Sequence, residues 1–390
     1  MKFTYRFLML LSLGLMALKS QATNIPSLSD STLAYSMPLL YKMPTGNIMM
    51  TWTEKNQAGI ISFCLAISKD NGKNFGDKNL IFASNGIGSS KLMKPKILFR
   101  KDGSLVAVFS NRAEVAGKRA IDIVYCESKN EGKTWTLPVS VDTDPSKVVR
   151  GFFDAVVLPN NELAVVYLKD VANSTKHEER DLRLVLTKNG IFQPEKVIDP
   201  VVCDCCNISL LLDTKGTLNI YYRDNNDDIR DMAVMTSTDN GLTFSAPKII
   251  YADNWKISGC PHSGATSSTN GTGTLVAWFS GTDKSESGIR LVNQSGKKLL
   301  TLDPSAKNAY LFDDPKTSIL IWEQPKTTGA NSQVAFKKIN AEAVSETVWI
   351  DQATNVTNAV GLVTGNDLLV AYEVKKANKR NAIELSTVKL

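Results

Sequence analysis

Seven times along the chain a short turn leads into an apolar strand that ends on an aromatic side chain. Thr45-Gly46-Asn47 precedes Ile48 to Trp52, and Asp102-Gly103-Ser104 precedes Leu105 to Phe109. The same pattern returns before Tyr167, Tyr222, Phe279, Trp322 and Tyr372, at spacings of about 43 to 58 residues. A unit of this length made of strands and turns cannot bury both of its faces alone. Stacked radially with its copies it can, which makes the fold an all-β propeller of four-stranded antiparallel blades. The aromatics then pack between blades.

A second signature falls in register with the first. Ser68-Lys69-Asp70-Asn71-Gly72-Lys73-Asn74-Phe75, Ser128-Lys129-Asn130-Glu131-Gly132-Lys133-Thr134-Trp135 and Ser237-Thr238-Asp239-Asn240-Gly241-Leu242-Thr243-Phe244 each close a hairpin. Asp70, Asn130 and Asp239 can fold onto nearby backbone N–H groups, glycine supplies a positive φ, and the aromatic buries the turn. Unit three keeps a shortened form, Thr187-Lys188-Asn189-Gly190-Ile191-Phe192. Outer strands are expected near Leu80–Phe82, Pro138–Val141, Lys196–Ile198, Lys248–Tyr251, Leu299–Leu302 and Thr347–Ile350. The seventh unit reaches Leu390 without one, so residues 24–28 are expected to supply it and close the ring.

The start of the chain addresses the compartment. Lys2 and Arg6 precede an apolar run from Phe7 to Leu18, and Ser20-Gln21-Ala22 offers small residues at a cleavage site. Residues 1–22 therefore read as a signal peptide, cleaved near Ala22, ahead of a single propeller domain over 23–390 in a secreted or periplasmic protein. The run is too short to span a bilayer. The formal net charge of +6 halves when Lys2, Arg6 and Lys19 are removed with the leader, and no dense basic cluster argues for nucleic acid.

In such a blade the a–b turn and the c–d hairpin share one face. The b–c loops and d–a connections share the other, called here the loop face. Arg150 and Asp154 enter unit three there; Arg223, Asp224, Arg230 and Asp231 stand on the b–c loop of unit four; His262 lies in the connection to unit five. These are the candidate ligand-binding residues, because charged loops on a rigid scaffold are where binding sites sit. The alternative is that the Arg–Asp pairs brace the loop. Cys203, Cys205, Cys206 and Cys260 converge on the same region, and in an oxidising compartment a disulfide from Cys260 to one of the other three is expected. A metal site made of these thiolates and His262 is the competing reading, with spacing unlike the usual zinc motifs. Cys64 and Cys126 read as buried small side chains.

The three turns resemble the Asp-box, S-x-D-x-G-x-T-W, of sialidases and other BNR-repeat proteins, and the likeness covers nearly the whole mature chain. It is similar to bacterial proteins often labelled exo-α-sialidases. A glycan or glycoconjugate partner, a monomer and no cofactor or resident metal are expected. Sialidases have six blades, whereas the repeat here favours seven. They hold a substrate carboxylate with three arginines, whose fork geometry suits it, and use a Tyr nucleophile with Glu and an Asp acid/base. The first of those arginines lies in a Tyr-Arg-Ile-Pro motif, and the matching stretch here is Tyr35-Ser36-Met37-Pro38. Ser36 in that place counts against ordinary sialic-acid hydrolysis. A divergent exo-glycosidase and a non-catalytic propeller that binds a glycan or a protein both remain open, and no catalytic residue is assigned.

Overall fold

The turn-and-strand repeats fold into seven radial antiparallel sheets around a common axis. The computed structural model describes residues 23–115, 118–144, 149–171, 180–314, 317–377 and 380–390. The leader expected over 1–22 lies outside them. Blade one runs outward from the axis as Ala34–Lys42, Ile48–Lys55, Ile61–Ser68 and Asn79–Ser84. The innermost strands of blades two to seven are Lys96–Phe99, Arg150–Val157, Ser209–Leu212, Thr266–Asn270, Lys307–Asp314 and Val356–Thr364. All the outer strands expected from the sequence are present. The last blade takes its outer strand from the start of the described chain, where Thr23–Leu28 pairs with Asn381–Lys389. No helix among the described residues is long and apolar enough to cross a membrane.

The core lies between blades. Seven apolar clusters each join two neighbouring blades, with Trp52 of blade one facing blade seven and Phe109 of blade two facing blade one. Tyr167, Tyr222, Trp322 and Tyr372 repeat the arrangement. Blade five departs from it. Trp278, not Phe279, is the buried aromatic toward blade four, and Phe279 packs on the opposite side. Side chains alternate across a strand, so a pattern offset by one residue puts the neighbouring aromatic on the working face. Cys64 and Cys126 are buried, and burial pushes both thiols up to about 12.

Side chains also stitch the innermost strands together. The N–H groups of Ile97, Leu210, Leu311 and Ala359 donate to Tyr41, Asp154, Thr266 and Glu323 of the preceding blade, at 3.1, 2.9, 3.0 and 2.7 Å. A hydrogen bond from Met37 to Glu373 joins blade one to blade seven. These strands have no ladder partner on the axial side, so each such bond satisfies a donor that the sheet leaves unpaired.

The Asp-boxes behave as their sequences require. Ser68, Ser128 and Ser237 accept the N–H groups of Gly72, Gly132 and Gly241 at 2.8 to 2.9 Å. Asp70, Asn130 and Asp239 accept those of Asn74, Thr134 and Thr243. In the shortened turn of blade three the acceptor comes from elsewhere. Glu162, on the a–b turn, takes Asn189 and Gly190 N–H at 2.7 and 3.2 Å, together with the Thr187 hydroxyl. An open groove of about 390 Å³, lined by Leu158, Leu186, Pro194 and Leu242, lies beside it between blades three and four.

Candidate functional site

Four of the seven innermost strands carry the same irregularity where they emerge on the loop face. Met37, Phe152, Asn308 and Asn358 have φ between 52 and 57°, and at each the ladder register with the second strand shifts. A left-handed residue inside a bulge is costly for Met and Phe and easier for Asn. Such bulges re-aim side chains and concentrate at functional sites. All four lie where the innermost strands begin around the axis, called here the axial mouth.

The connection into blade two reaches blade six across that mouth and presents Lys91 and Lys94, and Lys96 follows as the first residue of the innermost strand. Lys91 donates to the amide oxygen of Asn308 at 2.8 Å, and the Asn308 amide nitrogen donates on to Glu323. Lys94 lies 5.9 Å above the ring of Tyr310, which stacks on Phe312. Lys96 pairs with Asp154. Glu373 accepts from Asn358 and Asn381, both at 2.7 Å. Beside them the hydroxyls of Ser36, Thr53 and Ser89 form a closed trio with separations of 2.7 to 3.0 Å.

Burial sets the protonation here. It raises the carboxyl of Glu323 to about 7, although the N–H of Ala359 and the amide of Asn308 pull the other way. It lowers the ammonium of Lys94 to about 8 against the attraction of Glu373 and Glu323, and raises the phenol of Tyr310 to about 12. At neutral pH the mouth therefore holds a carboxyl able to hold or release a proton and a desolvated ammonium. Its lysines supply charge for an anion, and the Tyr310 ring supplies an apolar surface.

The residues singled out from the sequence take other places. Arg223 is buried and donates to the carbonyls of Arg230, Ser263 and Phe279 at 2.6 to 2.8 Å, with its guanidinium 5.1 Å over Trp255. Arg230 is fully buried, 3.5 Å from Asp204 and 3.7 Å from Asp228. Asp231 accepts the N–H groups of Asn254 and Trp255, and Asp224 caps Asn225 and Asn226. Together they brace the loop of blade four against the connection to blade five. Arg150 pairs with Asp142 at 2.8 Å. Asp142, Asp144 and Glu195 also converge, but Lys169 already places its ammonium among them, 2.7 Å from Asp144 and 2.5 Å from Glu195. Asp154 alone among the candidates belongs to the axial mouth. His262 is exposed, with φ +50°.

The four loop-face cysteines do converge, and no two sulfurs among the described residues stand at bonding distance. Cys203 Sγ lies 4.0 Å from Cys205 Sγ and 3.6 Å from Cys206 Sγ. Cys260, the expected disulfide partner, is exposed and faces the Asp204 carboxylate at 3.7 Å. Hydrogen bonds with Cys205 and Cys206, then with Arg230, hold the Cys203 thiol well below the usual range. The buried trio packs on Phe152, one of the bulge residues of the axial mouth.

The lysines, Asn308, Tyr310, Glu323 and Glu373 were not legible as a site. The available signals were weak: three lysines within six residues, and the repeated Asn-Ala at 308–309 and 358–359 at the same place in two blades.

Seven antiparallel blades, three of them closed by an Asp-box, define a sialidase-like BNR-repeat propeller. The BNR repeat-like domain family matches residues 80–326, and the chain belongs to it. No curated protein is significantly similar to it in sequence. Several solved structures share the fold. A protein of unknown function from Dyadobacter fermentans DSM 18053 aligns with TM-score 0.57 and 13% identity, over 95% of this chain and 99% of that one. The intramolecular trans-sialidase from Ruminococcus gnavus aligns at 0.52 and 11%, over 94% and 97%. Trypanosoma rangeli sialidase in complex with sialic acid aligns at 0.53 and 12%, over 95% of this chain but only 59% of that one. At these identities the likeness is one of fold.

Proposed function

We propose that this is a secreted glycan-binding propeller that takes a carboxylated sugar at its axial mouth. The observation that carries the reading is the placement of Lys91 over Asn308 and of Lys94 over Tyr310, with Glu323 behind Asn308. A carboxylate suits the desolvated ammonium of Lys94, sugar hydroxyls suit Asn308 and the Ser36–Thr53–Ser89 trio, and an aromatic ring suits the apolar face of a pyranose. Binding is favoured over hydrolysis because Ser36 stands where sialidases place an arginine and engages two neighbouring hydroxyls. A lysine is a point charge without the bidentate fork that orients a carboxylate for reaction.

The test is a binding screen of the mature chain against sialosides, uronic-acid oligosaccharides and neutral controls, run beside a fluorogenic sialoside hydrolysis assay. Saturable binding of a carboxylated glycan, weakened at least tenfold in Lys94→Ala at unchanged melting temperature, supports the reading. Turnover lost with Glu323→Gln would replace it with a divergent glycosidase. Equal binding of neutral and carboxylated glycans, or none of either, would remove it.

A further inference from the structure

Cys203, Cys205, Cys206, Cys260 and His262 form two triads of donor atoms that share one sulfur. The Cys203, Cys205 and Cys206 sulfurs lie within 4.8 Å of one another, and so do the donors of Cys205, Cys260 and His262. The first triad is buried, while Cys260 and His262 are exposed. We propose that this is a soft-metal site for monovalent copper, in which the buried sulfur triad holds the ion and Cys260 with His262 receives it from solvent through the shared Cys205.

Three observations lead there. The first is spacing. A metal ion about 2.3 Å from each thiolate separates its sulfurs by about 3.8 to 4.0 Å, whereas a disulfide draws them to about 2.05 Å. The observed 4.0 Å separation falls in the metal-bridged range, the 3.6 Å separation lies just below it, and neither approaches a disulfide. The second is donor number. Each triad offers three donors, which suits a three-coordinate d¹⁰ ion, whereas a closed structural zinc site takes four protein ligands. Sulfur with imidazole selects soft ions over magnesium or calcium. The third is the surrounding. The buried Arg230 donates from Nη1 to Cys203 Sγ at 3.4 Å, the outer hydrogen bond a charged sulfur ligand requires. The bracing bonds of Arg223 and Asp231 fix the loop that carries Arg230. The site lies next to the axial mouth through Phe152 and does not depend on the glycan reading.

Binding displaces the thiol protons to solvent and involves no change of oxidation state once copper is supplied as Cu(I). The experiment uses the reduced mature chain, handled without oxygen and titrated with Cu(I) against bicinchoninate, with metal counted by mass spectrometry after gel filtration. One to two copper ions per chain are expected. Cys205→Ser, which removes the shared sulfur, should weaken retention at least a hundredfold. Should that variant fail to fold, Cys260→Ser and His262→Ala alter only exposed residues and should slow uptake about tenfold. Cys64→Ser should leave the titration unchanged. Preferential retention of zinc, loss of no more than twofold in Cys205→Ser, or a Cys203–Cys206 or Cys260 disulfide in unreduced peptides from freshly secreted protein would overturn the proposal.

Discussion

The carboxylate of Glu373 accepts the main-chain N–H of Met37 at 2.9 Å, joining residues 336 positions apart where the last blade meets the first. The same buried carboxylate takes the amides of Asn358 and Asn381. It closes the ring on its axial side, as the Thr23–Leu28 strand closes it on the rim.

Removing that acceptor leaves three donors unpaired. Glu373→Ala should cost about 3 kcal/mol in chemical denaturation, and Glu373→Gln, which keeps one acceptor oxygen, should cost clearly less. Equal stability of the two variants would show that the closure lies in the apolar packing alone.

Stability should depend on pH through Glu323. Its folded-state pKa of about 7 stands above the ordinary 4.5, so the folded chain holds the proton more tightly than the unfolded one. The contribution is fully present below about 4.5 and is lost as pH rises through about 7. Relative to Glu323→Gln, which stays neutral, the protein should lose roughly 2 to 3 kcal/mol between pH 5 and 8. Parallel curves for the two proteins over this range would count against a buried carboxyl with a raised pKa.

Binding of a carboxylated glycan should weaken as pH rises through about 8, because Lys94 loses its proton there and the neutral amine no longer attracts the carboxylate. Isothermal titration from pH 6.5 to 9.5 reads this directly. A flat profile would place the anion contact on another cation.

Arg223→Ala should lower the melting temperature by several degrees, since three carbonyls lose their donor. The affinity of any glycan ligand per folded molecule should stay unchanged. Collapse of affinity without a change in melting would return Arg223 to the binding site.

Glu162→Ala should act locally. The turn at 187–192 loses the acceptor for Asn189 and Gly190, so amide exchange at those positions should quicken while the intact Asp-boxes of blades one, two and four keep their protection.

The sequence by itself determined the architecture. A repeat of strand, turn and Asp-box is local information, since alternation, glycine placement and side-chain-to-backbone turns act within a few residues. Seven units and the closing strand at the N-terminus followed from that pattern. Two decisions belonged to the tertiary structure alone. Arg223 could have faced solvent or the carbonyls of a neighbouring connection, and only the packing of the connection to blade five beneath it settled the choice. Nothing in the local sequence pairs Lys91 and Lys94 with Asn308, Tyr310, Glu323 and Glu373, more than 200 positions away, and ring closure alone sets them side by side. A one-dimensional pattern specifies which face of a strand is buried. Which charges meet across the axis depends on all seven blades closing at once, and that geometry is a property of the whole ring.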